Sequence, residues 1–317
     1  MTFLRPGFVS LVLVSTTLGS PVLQLALVPL GPVAIEMRNV HLRADDGIAL
    51  DVTYLRGQMV SRTPTNPPVF DDPQSYVLQV AAGEVSVDLP SLENLLNLRV
   101  FAGPHSPLSD IHVSITKDGR LAQSAKLHKG ILTLPISMKA TVGAAPDGRL
   151  TLHIDTEKTL GIPTTGLLAV FGLTVEDLVT LKNTTGVEID GNDVLIQIGL
   201  VTPPPQVEGR LASVVIRGDR LVETFVPDPT RGAEPLHLPV SARNYLYFVG
   251  SVLRFGKLTM NGADLMLVDQ DPKTPFDFFP REYLTQLVAG YSKTTASGGL
   301  IAYMPDYTKV RREPSRR

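Results

Sequence analysis

Five turns of one chemistry punctuate this chain and set what it can fold into. They are "ADDG" (Ala44–Gly47), "KDGR" (Lys117–Arg120), "PDGR" (Pro146–Arg149), "DGN" (Asp190–Asn192) and "RGD" (Arg217–Asp219). Each pairs a glycine with aspartate or asparagine, which is the chemistry of a tight reversal that needs positive φ. The turns join short runs rich in Val, Ile, Leu and Thr with period-two alternation. Short strands joined by such turns predict an antiparallel meander. Strands are expected over Val33–Arg43, Ile48–Ser61, Tyr76–Val87, Asp110–Thr116, Leu121–Leu127, Ile131–Val142 and Leu150–Asp155. The fold class that follows is mostly β (α+β).

Helical signals interrupt the strands at three places. Ser91 is placed to cap "LENLLNLRVF", with Leu92, Leu95, Leu96 and Val100 along one face. "LGIPTTGLLAVFGLT", Leu160–Thr174, carries no charge, and Thr174 then caps "VEDLVTLK" with Asp177 at the capping-box position. A third helix is expected from Pro280 to Val288. "VTPPPQVEG" (Val201–Gly209) reads as an extended connector or sheet edge, because three prolines cannot sit in a central strand. The organisation that results is a leader at 1–32, a main β domain at 33–227 and a linker at 228–239. A smaller β-rich lobe at 240–307 and a basic tail at 308–317 complete it.

Composition narrows the function. Hydrophobic residues make up 43% and charged residues 19%, against about a quarter charged in ordinary soluble domains. A net charge of −2 supplies no basic surface for nucleic acid. The absence of cysteine removes disulfides, thiolate metal sites and a cysteine nucleophile. Between Arg5 and Glu36 there is no charged side chain. The apolar run Phe8–Leu30 has the marks of a secretory signal peptide or a membrane anchor, which places the protein outside the cytoplasm, periplasmic or held at the inner membrane.

Catalytic and metal-binding patterns are sparse. Asp110 with His112, and His153 with Asp155, each share a strand face, and the two pairs could hold a metal only if their strands were neighbours. Independent polar positions on a wet sheet face are the expected reading, with no metal and no cofactor. Asp269, Asp271 and Asp277 in "LVDQDPKTPFD" lack the glycine and terminal glutamate of a calcium loop and read as a proline-rich turn. "GYSKT" (Gly290–Thr294) lacks the closing glycine of a nucleophile elbow, and Ser114 with Lys117 would face opposite sides of a strand. The chain is therefore expected not to be an enzyme.

The order of motifs over about residues 70–227 resembles that of the LmeA-type phospholipid-binding proteins of the tubular lipid-binding (TULIP) superfamily. It is carried by "LPSLENLLNLRVFAGPHSPLSDIHVSI", "PDGRLTLH", "GIPTTGLLAVFGLTVEDL", "VEIDGNDVLI" and "PPPQVEGRLASVVIRGDRLV". The segment from Tyr245 onward has no counterpart in that pattern. The resemblance implies a strongly curved antiparallel sheet wrapped around one or two apolar helices, with an apolar tunnel. It implies non-catalytic binding of a phospholipid or similar amphiphile, for lipid transport or envelope maintenance, with a membrane surface as partner. Expected lining residues are Leu95, Leu96, Val100 and Phe101 on the first helix. On the second they are Leu167, Leu168, Val170, Phe171, Leu178 and Leu181. A sixteen-carbon chain carries roughly 12 kcal/mol of hydrophobic transfer, so its binder must offer a comparably dry lining. The rival reading is a structural or interaction protein of the bacterial envelope with a filled core and an envelope protein as partner. A continuous apolar hollow of a few hundred Å³ favours the lipid reading, and a close-packed interior favours the rival.

Overall fold

The computed structural model describes residues 30–103, 106, 108–129, 132–155, 186–190 and 192–311. The chain is mostly β, with large curved antiparallel and mixed sheets and few short helices. Three long strands open the fold: β1 (Val33–Asp45), β2 (Ile48–Ser61) and β3 (Tyr76–Asp88). β1 returns into β2 through Asp46–Gly47, where Gly47 takes φ 72°. In β1 the inward positions are Val33, Ile35 and Met37, then Val40 and Leu42. The change of phase falls at Asn39, which has φ 53° and donates its side-chain amide to Asn244 Oδ1 at 2.7 Å. One irregular residue thus lets both halves of a thirteen-residue strand face the same core. Gly57 serves a similar irregularity between β2 and β3, since a Cβ there would lie 2.0 Å from the Gln79 carbonyl oxygen.

After β3 comes a short helix, α1 (Leu89–Leu95), followed by a wider π turn at Leu96–Val100 closed by the bond from Phe101 N–H to Leu96 O. Its cap is Asp88, whose carboxylate accepts from Ser91 N–H at 2.8 Å. The expected cap, Ser91, sits inside the first turn, and its hydroxyl instead accepts from Ala49 N–H. Asp88 prevails because Pro90 takes an early helical position, where a missing N–H costs nothing.

A second sheet follows, built from β4 (Leu108–Ile115), β5 (Leu121–Lys129), β6 (Leu132–Ala144), β7 (Leu150–Asp155), β8 (Val187–Asp190) and β9 (Asp193–Ile196). Its strand order is β4-β5-β6-β7-β9-β8. The sequence-derived strands and turns agree with these elements. The chain then returns to the first sheet through the short helix α2 (Ile198–Val201). The proline run leads into β10 (Gln206–Glu208), which pairs parallel to β3 at its margin. β11 (Leu211–Arg217) and β12 (Arg220–Phe225) complete that side.

The carboxy-terminal strands are β13 (Tyr245–Phe255), β14 (Leu258–Asp269), β15 (Phe276–Phe278), β16 (Tyr291–Thr294) and β17 (Leu300–Met304). The helices there are α3 (Tyr283–Ala289), where a helix is expected, and α4 (Tyr307–Arg311). The lobe is β-rich, but it does not form a unit separated from the main domain by a linker. β13 pairs with β1 from Val33 to Arg38, so the first sheet runs β11-β12-β3-β2-β1-β13-β14-β17-β16. β1 needs a partner on its second edge, and β13 supplies the matching apolar alternation. Their inward side chains share one core with those of β1 to β3, including Phe70, Phe248, Phe255 and Phe278.

The segment read as a linker has a structural task as well. Its Leu236 and Leu238, with Val240 and Ala242 just after it, pack over Tyr245, Tyr247 and Met266 on the outer face of the sheet. Glu36 pins it there. That carboxylate is 3% exposed and accepts from Leu236 N–H at 2.8 Å, Tyr245 O–H at 2.6 Å and Arg56 Nε at 3.2 Å.

Candidate functional site

The two sheets turn apolar faces toward each other without filling the space between them. A cavity of about 640 Å³ remains. From the first sheet it is lined by Ile35 and Met37 of β1, Leu50 and Leu55 of β2, Val85 and Val87 of β3, and Leu221 and Phe225 of β12. From the second come Ile136 and Met138 of β6, Leu150, Leu152 and Ile154 of β7, and Val194 and Ile196 of β9. Even spacing along the strands is the alternation that put these side chains on one face, and in β2 the irregularity between Val52 and Tyr54 brings Leu55 to the same side as Leu50. β2 contributes lining residues from Ile48 to Met59, about 36 Å of strand at roughly 3.3 Å per residue.

α1 and its π turn form one wall. Leu92, Leu95, Leu96, Val100 and Phe101 all line the cavity. Asn97 fixes this segment by acting as a piece of strand: its amide donates to Ile111 O at 2.7 Å and accepts from Ile111 N–H at 3.0 Å. Glu93 accepts from Val113 N–H at 3.1 Å, and Asn94 donates to Gly47 O at 2.8 Å. The helix is thereby tied to the β1–β2 turn on one side and to β4 on the other. Its length is too short for intrinsic helical stability, so these ties and its apolar contacts hold it.

Two polar patches edge the cavity. Arg99 and Arg281 both lie on its lining and both bond the single carboxylate of Asp45, which is 9% exposed. Two guanidinium groups on one carboxylate leave a local excess of one positive charge. The other patch holds Asp71, Asp72 and Gln74 beside Pro203–Pro205.

Away from these patches, Glu223 places an ionisable group on an apolar stretch of the wall. Glu223 lies on the inward face of β12 between Leu221 and Phe225. Its cross-strand neighbours are Val85 and Val214. It forms no hydrogen bond or ion pair with any described residue, and it is a partly exposed residue of the cavity lining. Burial alone pushes its pKa up from 4.5 to about 7. The sequence reading missed this residue. The signal was present in "RLVETF", where an acid occupies a position whose neighbours at two residues either way are leucine and phenylalanine.

The four expected lining residues of the first helix, Leu95, Leu96, Val100 and Phe101, come together on the cavity. Leu167, Leu168, Val170, Phe171, Leu178 and Leu181, with the whole charge-free run Leu160–Thr174, lie outside the described residues. So does the amino-terminal apolar run up to Val28 and Pro29. The two histidine–aspartate pairs are kept apart, because β5 and β6 intervene between β4 and β7. His112 Nδ1 instead meets Glu93 at 3.1 Å, His153 Nδ1 meets Asp193 at 2.7 Å, and Asp110 pairs with Lys126. Asp269, Asp271 and Asp277 take separate partners in Asn244, Lys309 and Arg43. Among the described residues, no three histidine, aspartate or glutamate side chains converge on a metal position. In comparisons with known proteins, no family model, curated protein or solved structure matches the chain.

Proposed function

We propose that this protein binds a phospholipid or similar amphiphile, without catalysis, by enclosing its acyl chains between the two sheets. The observation that carries the reading is the apolar hollow of about 640 Å³, within the range of small-molecule sites. Protein interiors are otherwise filled to crystal-like density. Cavity formation at about 24 cal/mol per Å³ would cost on the order of 15 kcal/mol for a sealed void of this size, as much as a whole domain's net stability. An interior meant only to pack would collapse. One lined by aliphatic side chains on both sheets suits an apolar occupant, and this weighs against a scaffold with a filled core.

Acyl chains would lie along the strands, and the headgroup would sit at Arg99 and Arg281, where a phosphate meets two guanidinium donors. Leu98 beside Arg99 is 56% exposed and Leu284 near Arg281 is 57% exposed. Apolar and cationic side chains side by side suit the surface of an anionic bilayer, the partner from which a lipid would be taken. The resemblance over residues 70–227 supports the same reading, with lipid transport or envelope maintenance as its purpose. Export by the charge-free amino-terminal segment fits that setting, and a fusion of residues 1–40 to a reporter active only outside the cytoplasm tests it.

Lipid extracted from protein purified under native conditions, identified by mass spectrometry and counted against protein, is the direct test. About one amphiphile per chain is expected. Lipid-free protein that also fails to retain a fluorescent phospholipid would remove the proposal.

A further inference from the structure

The cavity wall is not uniform, and one polar group on it, Glu223, is placed among apolar neighbours where it can discriminate among apolar ligands. Glu223 is framed by Leu221 and Phe225 along its own strand and by Val85 and Val214 across it. Other polar or charged groups among the described residues touch the cavity: Arg99 and Arg281 on Asp45, Lys139 with a partner of its own, Gln123 on β5, Thr202, and Asp71, Asp72 and Gln74 in the loop after Phe70. None bonds Glu223. Strand register gives its depth. Glu223 is level with Val85, Val85 with Val52, and the arginine pair meets Asp45 opposite Ile48. Four residues of β2 separate Ile48 from Val52, about 13 Å of strand.

A lone carboxyl group in such a frame has two demands. As a neutral acid it offers one O–H donor and retains acceptor capacity. Water inside a roomy cavity can meet both needs. An acyl chain that displaces this water meets neither, and a buried polar group left without partners weakens binding. A hydroxyl group on the ligand, able to accept and donate at once, answers both demands without adding a charge to the interior.

We propose that Glu223 makes the cavity selective for amphiphiles carrying a neutral hydroxyl group partway along the apolar body, about 13 Å of strand from the arginine pair. This rests on acyl-chain binding in the cavity. The charged end of the ligand lies at Arg99 and Arg281, its hydroxyl group at Glu223, and its remaining methylenes against the leucine and valine side chains of both sheets. An amphiphile with a plain chain is accepted less well.

The test compares octadecanoic acid with 12-hydroxyoctadecanoic acid by displacement of a fluorescent fatty acid at pH 6. The proteins are the wild type, Glu223→Gln and Glu223→Leu, each checked for folding by circular dichroism. The wild type is expected to prefer the hydroxy acid by about ten- to a hundredfold, the value of satisfying one buried polar group. Glu223→Gln, which still donates and accepts, keeps most of the preference. Glu223→Leu loses it and binds the plain chain more tightly than the wild type does. Equal binding of the two acids by the wild type overturns the selectivity while leaving the cavity reading intact. A preference that survives in Glu223→Leu also overturns it. Folded wild-type protein that binds neither acid overturns both readings.

Discussion

Glu223 should make this protein less stable as pH rises, which reverses the usual behaviour of a carboxylate held by a basic partner. Its pKa is about 7 in the folded chain against 4.5 ordinarily, with burial as the cause. Below pH 4.5 both states hold the proton and the residue contributes nothing to the pH dependence. Above 4.5 the unfolded chain releases its proton while the folded chain keeps it, so unfolding gains ground until pH exceeds about 7. The full penalty for that difference is about 3.5 kcal/mol, at about 1.4 kcal/mol for each pH unit between the two values. Roughly 0.8 kcal/mol of that is already present at pH 5, so about 2.5 kcal/mol should appear between pH 5 and pH 8. Other groups titrate nearby, Asp269 among them, pushed up to about 6 chiefly by burial. The contribution of Glu223 must therefore be read as a difference. Urea unfolding of the wild type and Glu223→Gln at pH 5, 6, 7 and 8 isolates it. The amide variant should gain on the wild type by about 2.5 kcal/mol across that span, with an unchanged denaturant slope. Parallel pH profiles for the two proteins would refute the claim that burial holds this carboxyl in its protonated form.

Three further outcomes follow from the same geometry. Leu150→Trp extends a ring into the hollow from the second sheet and should abolish retention of a fluorescent phospholipid while shifting thermal unfolding by only a few degrees. Full retention in that folded variant would place the acyl chain elsewhere. Glu36→Ala leaves Arg56 half-enclosed and frees the Tyr245 hydroxyl and Leu236 N–H. A loss of about 3–5 kcal/mol in urea unfolding is expected, and less than 1 kcal/mol would mean the strap over the outer face is held by its apolar contacts alone. The charge reversal Arg99→Glu with Arg281→Glu should weaken sedimentation with anionic vesicles several-fold at low salt, with little effect in 0.5 M salt where screening is short-ranged. Unaltered sedimentation at low salt would detach this end of the cavity from the membrane.

The amino-acid sequence by itself determined the local elements, because their causes are local. Gly47, Gly119, Gly148 and Gly218 all adopt positive φ in the turns where aspartate–glycine chemistry called for it. The β-rich run Ile48–Ser61 coincides with β2 from end to end. The face of α1 and its π turn that carries Leu92, Leu95, Leu96 and Val100 followed from helical spacing and is the face that lines the cavity. Even the irregular cap was a local matter, decided between Ser91 and Asp88 by a proline one residue away from the former.

Pairing was a different kind of question. The outer edge of β1 could accept any strand with suitable alternation, and the partner it takes begins at Tyr245, whose hydroxyl bonds Glu36 across 209 residues of sequence. That single pairing dissolves the boundary suggested by the proline-rich segment at 228–239. Asp45 gathers Arg99 and Arg281 from two distant segments, so the charge of the cavity's edge could not be read from either one. The cavity itself is a relation between two sheets. Alternation tells which side chains face inward, but it is silent on whether the opposing faces meet or stand apart. Glu223 shows the difference best: its place in "RLVETF" marks it as inward-facing, while only the space in front of it leaves its carboxyl without a partner among the described residues.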